Sequence, residues 1–137
     1  MENWKPVRQN NSYEVSDLGR VRNTRTGRIV RPYIDSDQKY PRVDLYDGGS
    51  RRKFMVHTLV AEAFIGPKPE GYEIDHRNTN ICDNRLCNIR YVTQEENRNN
   101  PVTKFNREVS RIRRAISSGK KSQEDILRLV AVMKAVI

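Results

Sequence analysis

Residues 72–100 constrain the fold of this chain more than any other stretch. They hold two short strand-like runs, an asparagine-rich loop between them, and a helix start directly after the second run. Tyr72-Glu-Ile-Asp-His76 and Ile89-Arg-Tyr-Val-Thr93 each read as a strand, and the polar segment 77–88 reads as a loop. Thr93-Gln-Glu-Glu96 is a capping box, with Thr93 at the N-cap and Glu96 three residues on. Pro101 lacks an N–H and blocks continuation of that helix. Asn97 therefore falls in its first turns, near the positive end of the helix dipole.

The residues before this stretch read as short antiparallel strands. Tyr13-Glu-Val15 and Gly19-Arg-Val-Arg-Asn23 flank Asp17-Leu-Gly19, and a strand over 28–34 follows a turn at 23–27. Tyr40–Tyr46 alternates, with Val43 and Leu45 on an apolar face, and Asp47-Gly-Gly-Ser50 is a hairpin signal. Phe54–Phe64 has a helical period, with Val56, Leu59, Val60, Ala63 and Phe64 on one stripe and Gly66-Pro67 as the stop. His57 lies off that stripe, which predicts a surface or structural role. After Lys104, the spacing of Phe105, Val109, Ile112 and Ile116 predicts a basic helix, and 117–121 reads as a turn. Ser122-Gln-Glu-Asp125 then opens a last helix, with Ile126, Leu129, Val130, Met133 and Ile137 as its apolar stripe. The expected fold class is α+β. Its parts are an N-terminal antiparallel β region (1–53), a strand–loop–strand–helix core with its preceding helix (54–101), and a basic C-terminal helical hairpin (102–137).

Lys and Arg number 26 against 17 acids, a net charge of +9. That excess favours a polyanionic partner. Arg20, Arg22, Arg25, Arg28 and Arg31 are spread over the first β region, Arg51, Arg52 and Lys53 follow its last turn, and Arg107, Arg111, Arg113 and Arg114 lie on the basic helix. The expected partner is double-stranded DNA, with these side chains on phosphates. Cys82 and Cys87, with only His57 and His76 as histidines, do not make the usual four-ligand zinc set and read as free thiols of a reducing cytosol. No apolar run reaches the length of a membrane span, and the N-terminus has no secretory apolar region, so the expected compartment is cytoplasmic with no membrane partner.

Asp75, His76 and Asn97 carry the chemistry. Hydrolysis of a phosphodiester needs an activated water and charge neutralisation at the phosphate and leaving oxygen. Asp75 and Asn97 can give a hard divalent cation two oxygen ligands, which suits Mg²⁺ best and also Mn²⁺. His76 can deprotonate water near neutral pH, or bind a transition metal instead. Adjacent residues of a regular strand point to opposite faces, so Asp75 and His76 serve one phosphate only if the strand ends or bulges there.

Asp75-His76, Asn84-Arg-Leu-Cys-Asn88, Ile89-Arg-Tyr-Val-Thr93 and Glu96-Asn97 together resemble the HNH nuclease motif, in particular that of the phage and intron-encoded homing endonucleases. Val56–Phe64 is similar to the helix preceding that motif. Trp4-Lys-Pro-Val7, Tyr13-Glu-Val-Ser16 and Gly19-Arg-Val-Arg22 resemble the short N-terminal module often found before such nucleases. The resemblance covers about residues 3–100. It implies a ββα-metal fold with His76 as general base and Asp75 and Asn97 as metal ligands. It further implies that Asn88 ties the loop between the strands, with Asn84 sharing that task. Two departures stand out. Many relatives have a glycine in the loop after the histidine, where this chain has Asn78-Thr79. Relatives often have Leu-Glu-Trp before Val-Thr, where this chain has Ile89-Arg90-Tyr91, so that Arg90 reverses a charge and favours phosphate contact.

The expected function is metal-dependent DNA cleavage by a homing or phage-encoded nuclease. One centre would nick, and a homodimer through the C-terminal helix would cut both strands. The rivals are a DNA-binding protein that keeps the fold without cleavage and an interaction protein acting through its last helix.

Overall fold

The computed structural model describes residues 1–119 together with 124, 127, 128, 130 and 131. It divides into two compact units, residues 1–94 and 95–137.

In the first unit, β1 (Trp4–Val7), β2 (Asn10–Ser16), β3 (Val21–Asn23) and β4 (Ile29–Val30) form an antiparallel sheet in chain order. The strand expected over 28–34 is shorter than its sequence suggests. Only Ile29 and Val30 pair with β3, and Tyr33 makes a lone bridge to Arg42. Pro32, between them, has no N–H to give a ladder. The hairpin expected around Asp47–Ser50 is present as β5 (Arg42–Asp47) and β6 (Ser50–Met55), paired from Asp47↔Ser50 to Arg42↔Met55.

That pairing corrects the start of the first helix. Phe54 and Met55 belong to β6, opposite Val43 and Arg42, and α1 runs Val56–Phe64. Cross-strand bonding prevails over the helical period at those two residues. The first helical N–H, that of Val56, is satisfied by the Pro41 carbonyl at 3.1 Å. β7 (Tyr72–His76) and β8 (Ile89–Thr93) form a third antiparallel sheet with the expected bounds, and a 3₁₀ turn at Leu86–Asn88 leads into β8.

One apolar core serves all three sheets and α1. Val7, Val15 and Val21 from the first sheet cluster with Val43 and Leu45 of the hairpin, Val56, Leu59 and Val60 of α1, and Ile89 of β8. The alternation in β5 is as expected, with Val43 and Leu45 wholly buried. Each such side chain contributes roughly 1.5–3 kcal/mol by leaving water.

α2 (Gln94–Asn99) starts on the last residue of the first unit, and its remaining residues belong to the second unit with α3 (Pro101–Ser117). α2 begins directly after Thr93 and is short, as expected. Pro101 opens α3, where a missing N–H costs nothing, and Asn100 caps it with its side-chain oxygen accepting the Val102 N–H at 2.9 Å. Ile112 is buried and Phe105 and Val109 are half-buried on the expected apolar face of α3. Ser118 and Gly119 begin the expected turn. Of the predicted last helix, the described residues Glu124, Leu127, Arg128, Val130 and Ala131 are helical, and Ile126, Leu129, Met133 and Ile137 lie outside the described residues.

Candidate functional site

β7 stays in register with β8 to its last residue, with Asp75 opposite Arg90 and His76 opposite Ile89. The strand ends there, and the Thr79 N–H closes a turn onto the His76 carbonyl at 2.9 Å. Asp75 Oδ2 accepts from Arg90 Nε at 2.8 Å, and the Asp75 side chain is 13% exposed. His76 is buried.

The His76 ring is held on several sides. Its Nε2 lies 2.9 Å from Asn84 Oδ1. An amide oxygen only accepts, so this contact puts the imidazole proton on Nε2 and leaves the lone pair on Nδ1. Tyr40 stacks on the ring with centroids 6.2 Å apart, and His57 meets it edge-on at 5.3 Å. Sequence pattern misses both partners. Tyr40 heads the alternating run 40–46, which signals a strand and not a histidine partner, and His57 falls off the helical stripe. Contrary to the surface alternative, His57 is buried, and its Nδ1 has no hydrogen-bond partner among the described residues.

Burial, followed by the neighbouring His76 charge, lowers the His57 pKa from its ordinary 6.5 to about 4. A depressed folded-state pKa means that the unfolded chain binds the proton first as pH falls. His57 therefore adds stability above pH 6.5 that is lost on acidification towards pH 4. The expected loss is about 2–3 kcal/mol. Urea unfolding of wild type and His57→Leu at several pH values checks this. An equal slope in both proteins would refute it.

The loop between the strands is tied through Asn88. The Asn78 N–H donates to its Oδ1 at 3.0 Å, its Nδ2 donates to the Asp83 carbonyl at 2.8 Å, and its own carbonyl accepts the Arg77 N–H at 2.8 Å. Asn84 instead spends its side-chain oxygen on His76. Asp83 adds a second knot, bonded to Asn78 Nδ2 and to Arg85, whose guanidinium holds the Asp83 carboxyl well below the usual carboxylate range.

Thr79 has φ +66°, the one non-glycine positive φ among the described residues. It stands in the loop that follows His76. A β-branched residue there costs roughly 1–2 kcal/mol, and the freedom of an unfolded glycine offsets up to about 1 kcal/mol. Thr79→Gly is expected to raise stability by about 0.5–1 kcal/mol, read as a higher melting temperature. A lower one would rule out strain at this position.

The basic residues divide by environment. Arg20 bonds Glu2, and Arg22 bonds Glu14 at 2.9 Å while lying 3.9 Å from the Trp4 ring. Arg51 sits 3.5 Å from Asp44 and Lys53 3.2 Å from Asp35, while Arg52 lies over Phe54. Arg25, Arg28 and Arg31 are exposed around the β3–β4 connection. On α3, Arg107, Arg113 and Arg114 are exposed, and Arg111 pairs with Glu108 at 2.7 Å. Arg90, expected on phosphate, is joined here to Asp75.

Asn97 is the fourth residue of α2 and lies in the second unit. Asp75 suits an oxygen-loving cation. Its Oδ1 takes no hydrogen bond among the described residues, and no group of three or more His, Cys, Asp or Glu that could hold a metal occurs among them. A carboxylate, an amide oxygen and retained waters fit Mg²⁺ better than zinc.

The HNH endonuclease profile matches residues 54–99, and the NUMOD4 motif matches residues 2–46. The chain carries an HNH endonuclease domain over residues 54–99, with a NUMOD4 motif in front of it. Among curated relatives, the DNA endonuclease I-HmuI of Bacillus phage SP01 is 34% identical over 109 residues, covering 79% of this chain and 62% of that one. The H-N-H endonuclease F-TflII of Escherichia phage T5 is 28% identical over 100 residues, covering 72% of this chain and 51% of its own. A solved structure of DNA binding and cleavage by the HNH homing endonuclease I-HmuI matches with a TM-score of 0.62 and 27% identity, over 96% of this chain and 68% of that one. The chain thus spans about 62% of the I-HmuI sequence. Its HNH profile takes in α1, both strands of the third sheet and α2, and the NUMOD4 motif takes in the first sheet and most of β5. Among the described residues, no helix is long and apolar enough to cross a membrane.

Proposed function

We propose that this chain is a divalent-metal-dependent HNH endonuclease that hydrolyses phosphodiester bonds in duplex DNA. The observation that carries the reading is His76, buried at a strand end with its Nε2 tied to Asn84, next in sequence to the Asp75 carboxylate. With its proton on Nε2, His76 offers Nδ1 as the base that takes a proton from the attacking water. Asp75 and Asn97 are the residues that would hold the cation. When bound, such an ion neutralises charge on the phosphate and the leaving oxygen. Asn88 keeps the loop closed so that the end of β7 does not fray. Arg25, Arg28 and Arg31 on the first unit, and Arg107, Arg113 and Arg114 on α3, are the side chains offered to DNA phosphates.

The relatives' names support cleavage of DNA, and the excess of positive charge supports a polyanion. Supercoiled plasmid incubated with MgCl₂ is expected to become nicked, and EDTA is expected to stop the reaction. DNA affinity should fall by about 10³-fold or more between low and moderate salt if roughly six phosphates are contacted. Tight, salt-sensitive binding without nicking at any Mg²⁺ or Mn²⁺ concentration would instead favour a DNA-binding protein that has lost cleavage.

A further inference from the structure

The turn between β2 and β3, residues Asp17–Gly19, lies in the NUMOD4 segment yet touches the histidine's own support. It is firmly built. The buried Ser16 accepts the Leu18 and Arg20 N–H groups on its hydroxyl at 3.2 and 3.1 Å. Asp17 is fastened to Asn3 by two side-chain hydrogen bonds of 3.0 Å. The Asp17 carbonyl then accepts the Leu86 N–H at 2.8 Å, which joins the turn to the HNH loop.

Gly19 makes the second junction. Its φ is +82°, and a Cβ there would lie 2.9 Å from the Asn84 carbonyl oxygen and 3.1 Å from the Asn84 Cβ. Only glycine allows this approach without moving a neighbour. The residue it presses on is the one whose Oδ1 meets His76 Nε2 at 2.9 Å. Asn84 also lines an open cleft of about 300 Å³ with Leu18, Tyr33 and Cys82. That gives Asn84 room to shift when crowded, so an added methyl group is expected to displace it rather than unfold the chain.

We propose that the β2–β3 turn is a positioning element for His76: Gly19 sets where the Asn84 backbone lies, and the Asn84 amide holds the imidazole with its proton on Nε2. The catalytic consequence rests on the nuclease reading above; the geometric one does not. The NUMOD4 segment, besides any contact with DNA, thereby takes part in preparing the base. Gly19 and Asn84 act through His76 and need not touch substrate.

The test uses the full chain, whose two histidines keep the imidazole nitrogen spectrum simple. Long-range ¹H–¹⁵N correlation at pH 8 is expected to show His76 as the Nε2–H tautomer in wild type. Asn84→Asp keeps an acceptor there and should retain that tautomer, whereas Asn84→Ala and Gly19→Ala should each give a mixture. Each of the last two should lower kcat for nicking about 10²-fold with DNA Kd within about twofold. The double variant should be no slower than Asn84→Ala, because the methyl at position 19 acts only through the lost amide. Rate losses that multiply in the double variant would overturn the proposal, as would a wild-type His76 signal in Gly19→Ala. Should Gly19→Ala not fold, Ser16→Ala loosens the same turn without adding an atom, and an unchanged His76 signal there would be equally decisive against it. If the wild-type protein does not nick at all, the nuclease reading falls, and the tautomer signals still decide the positioning role.

Discussion

His76→Ala is expected to slow plasmid nicking by about 10²–10⁴-fold, the range a positioned general base contributes. DNA affinity should stay within about twofold, because His76 is buried and adds no surface charge for phosphates. The variant also strips Asn84 Oδ1 of its donor, which costs about 1–3 kcal/mol of stability where no water replaces it. Melting must therefore be followed alongside rate. His76→Gln, closer in volume, separates the two effects: it should recover part of the stability and none of the rate. Single-turnover nicking and fluorescence anisotropy are the measurements. Equal cleavage by wild type and His76→Ala would remove His76 from the mechanism and leave the HNH domain match standing.

The second large effect is expected for Asp75→Asn. The change keeps the shape and an oxygen ligand but takes away the one carboxylate offered to the cation. At fixed Mg²⁺ the rate should drop by on the order of 10²-fold or more, and part of that loss should return as Mg²⁺ is raised, since the defect is one of metal affinity. Stability should hardly change. The Arg90 partner is 39% exposed, and such pairs are worth about 1 kcal/mol or less. A magnesium titration of nicking beside a thermal melt distinguishes the outcomes. An unaltered magnesium dependence would show that the cation is held elsewhere.

Much of the frame around the candidate site was legible in the sequence because its cues are local. The strand bounds 72–76 and 89–93, the short helix after Thr93 and the stop before Pro101 follow from periodicity, capping and proline chemistry, all readable within a few residues. The helix start at Val56 was not, because Phe54 and Met55 are drawn into β6 by partners across a hairpin. Nor was the shortness of β4, which depends on which strand Ile29 and Val30 can reach. The supports of His76 were hidden for the same reason. Tyr40, His57 and Gly19 come from three distant segments, and no pattern in one segment announces that it will meet another. The resemblance makes Asn84 a loop brace, but its attachment to the histidine is visible only in three dimensions. The positive φ of Thr79 gives physical content to a departure the sequence could only record.

The ion pair between Asp75 and Arg90 bears on the order in which this protein is assembled. A carboxylate awaiting a cation would ordinarily leave negative charge half-buried until the ion arrived. Here a guanidinium on the neighbouring strand already balances that charge, so β7 and β8 can zip together in a metal-poor environment. Small zinc domains commonly fold only as they bind their ion. On the proposed reading, this chain folds first and loads its cation afterwards, and EDTA is expected to stop nicking while leaving the melting temperature unchanged.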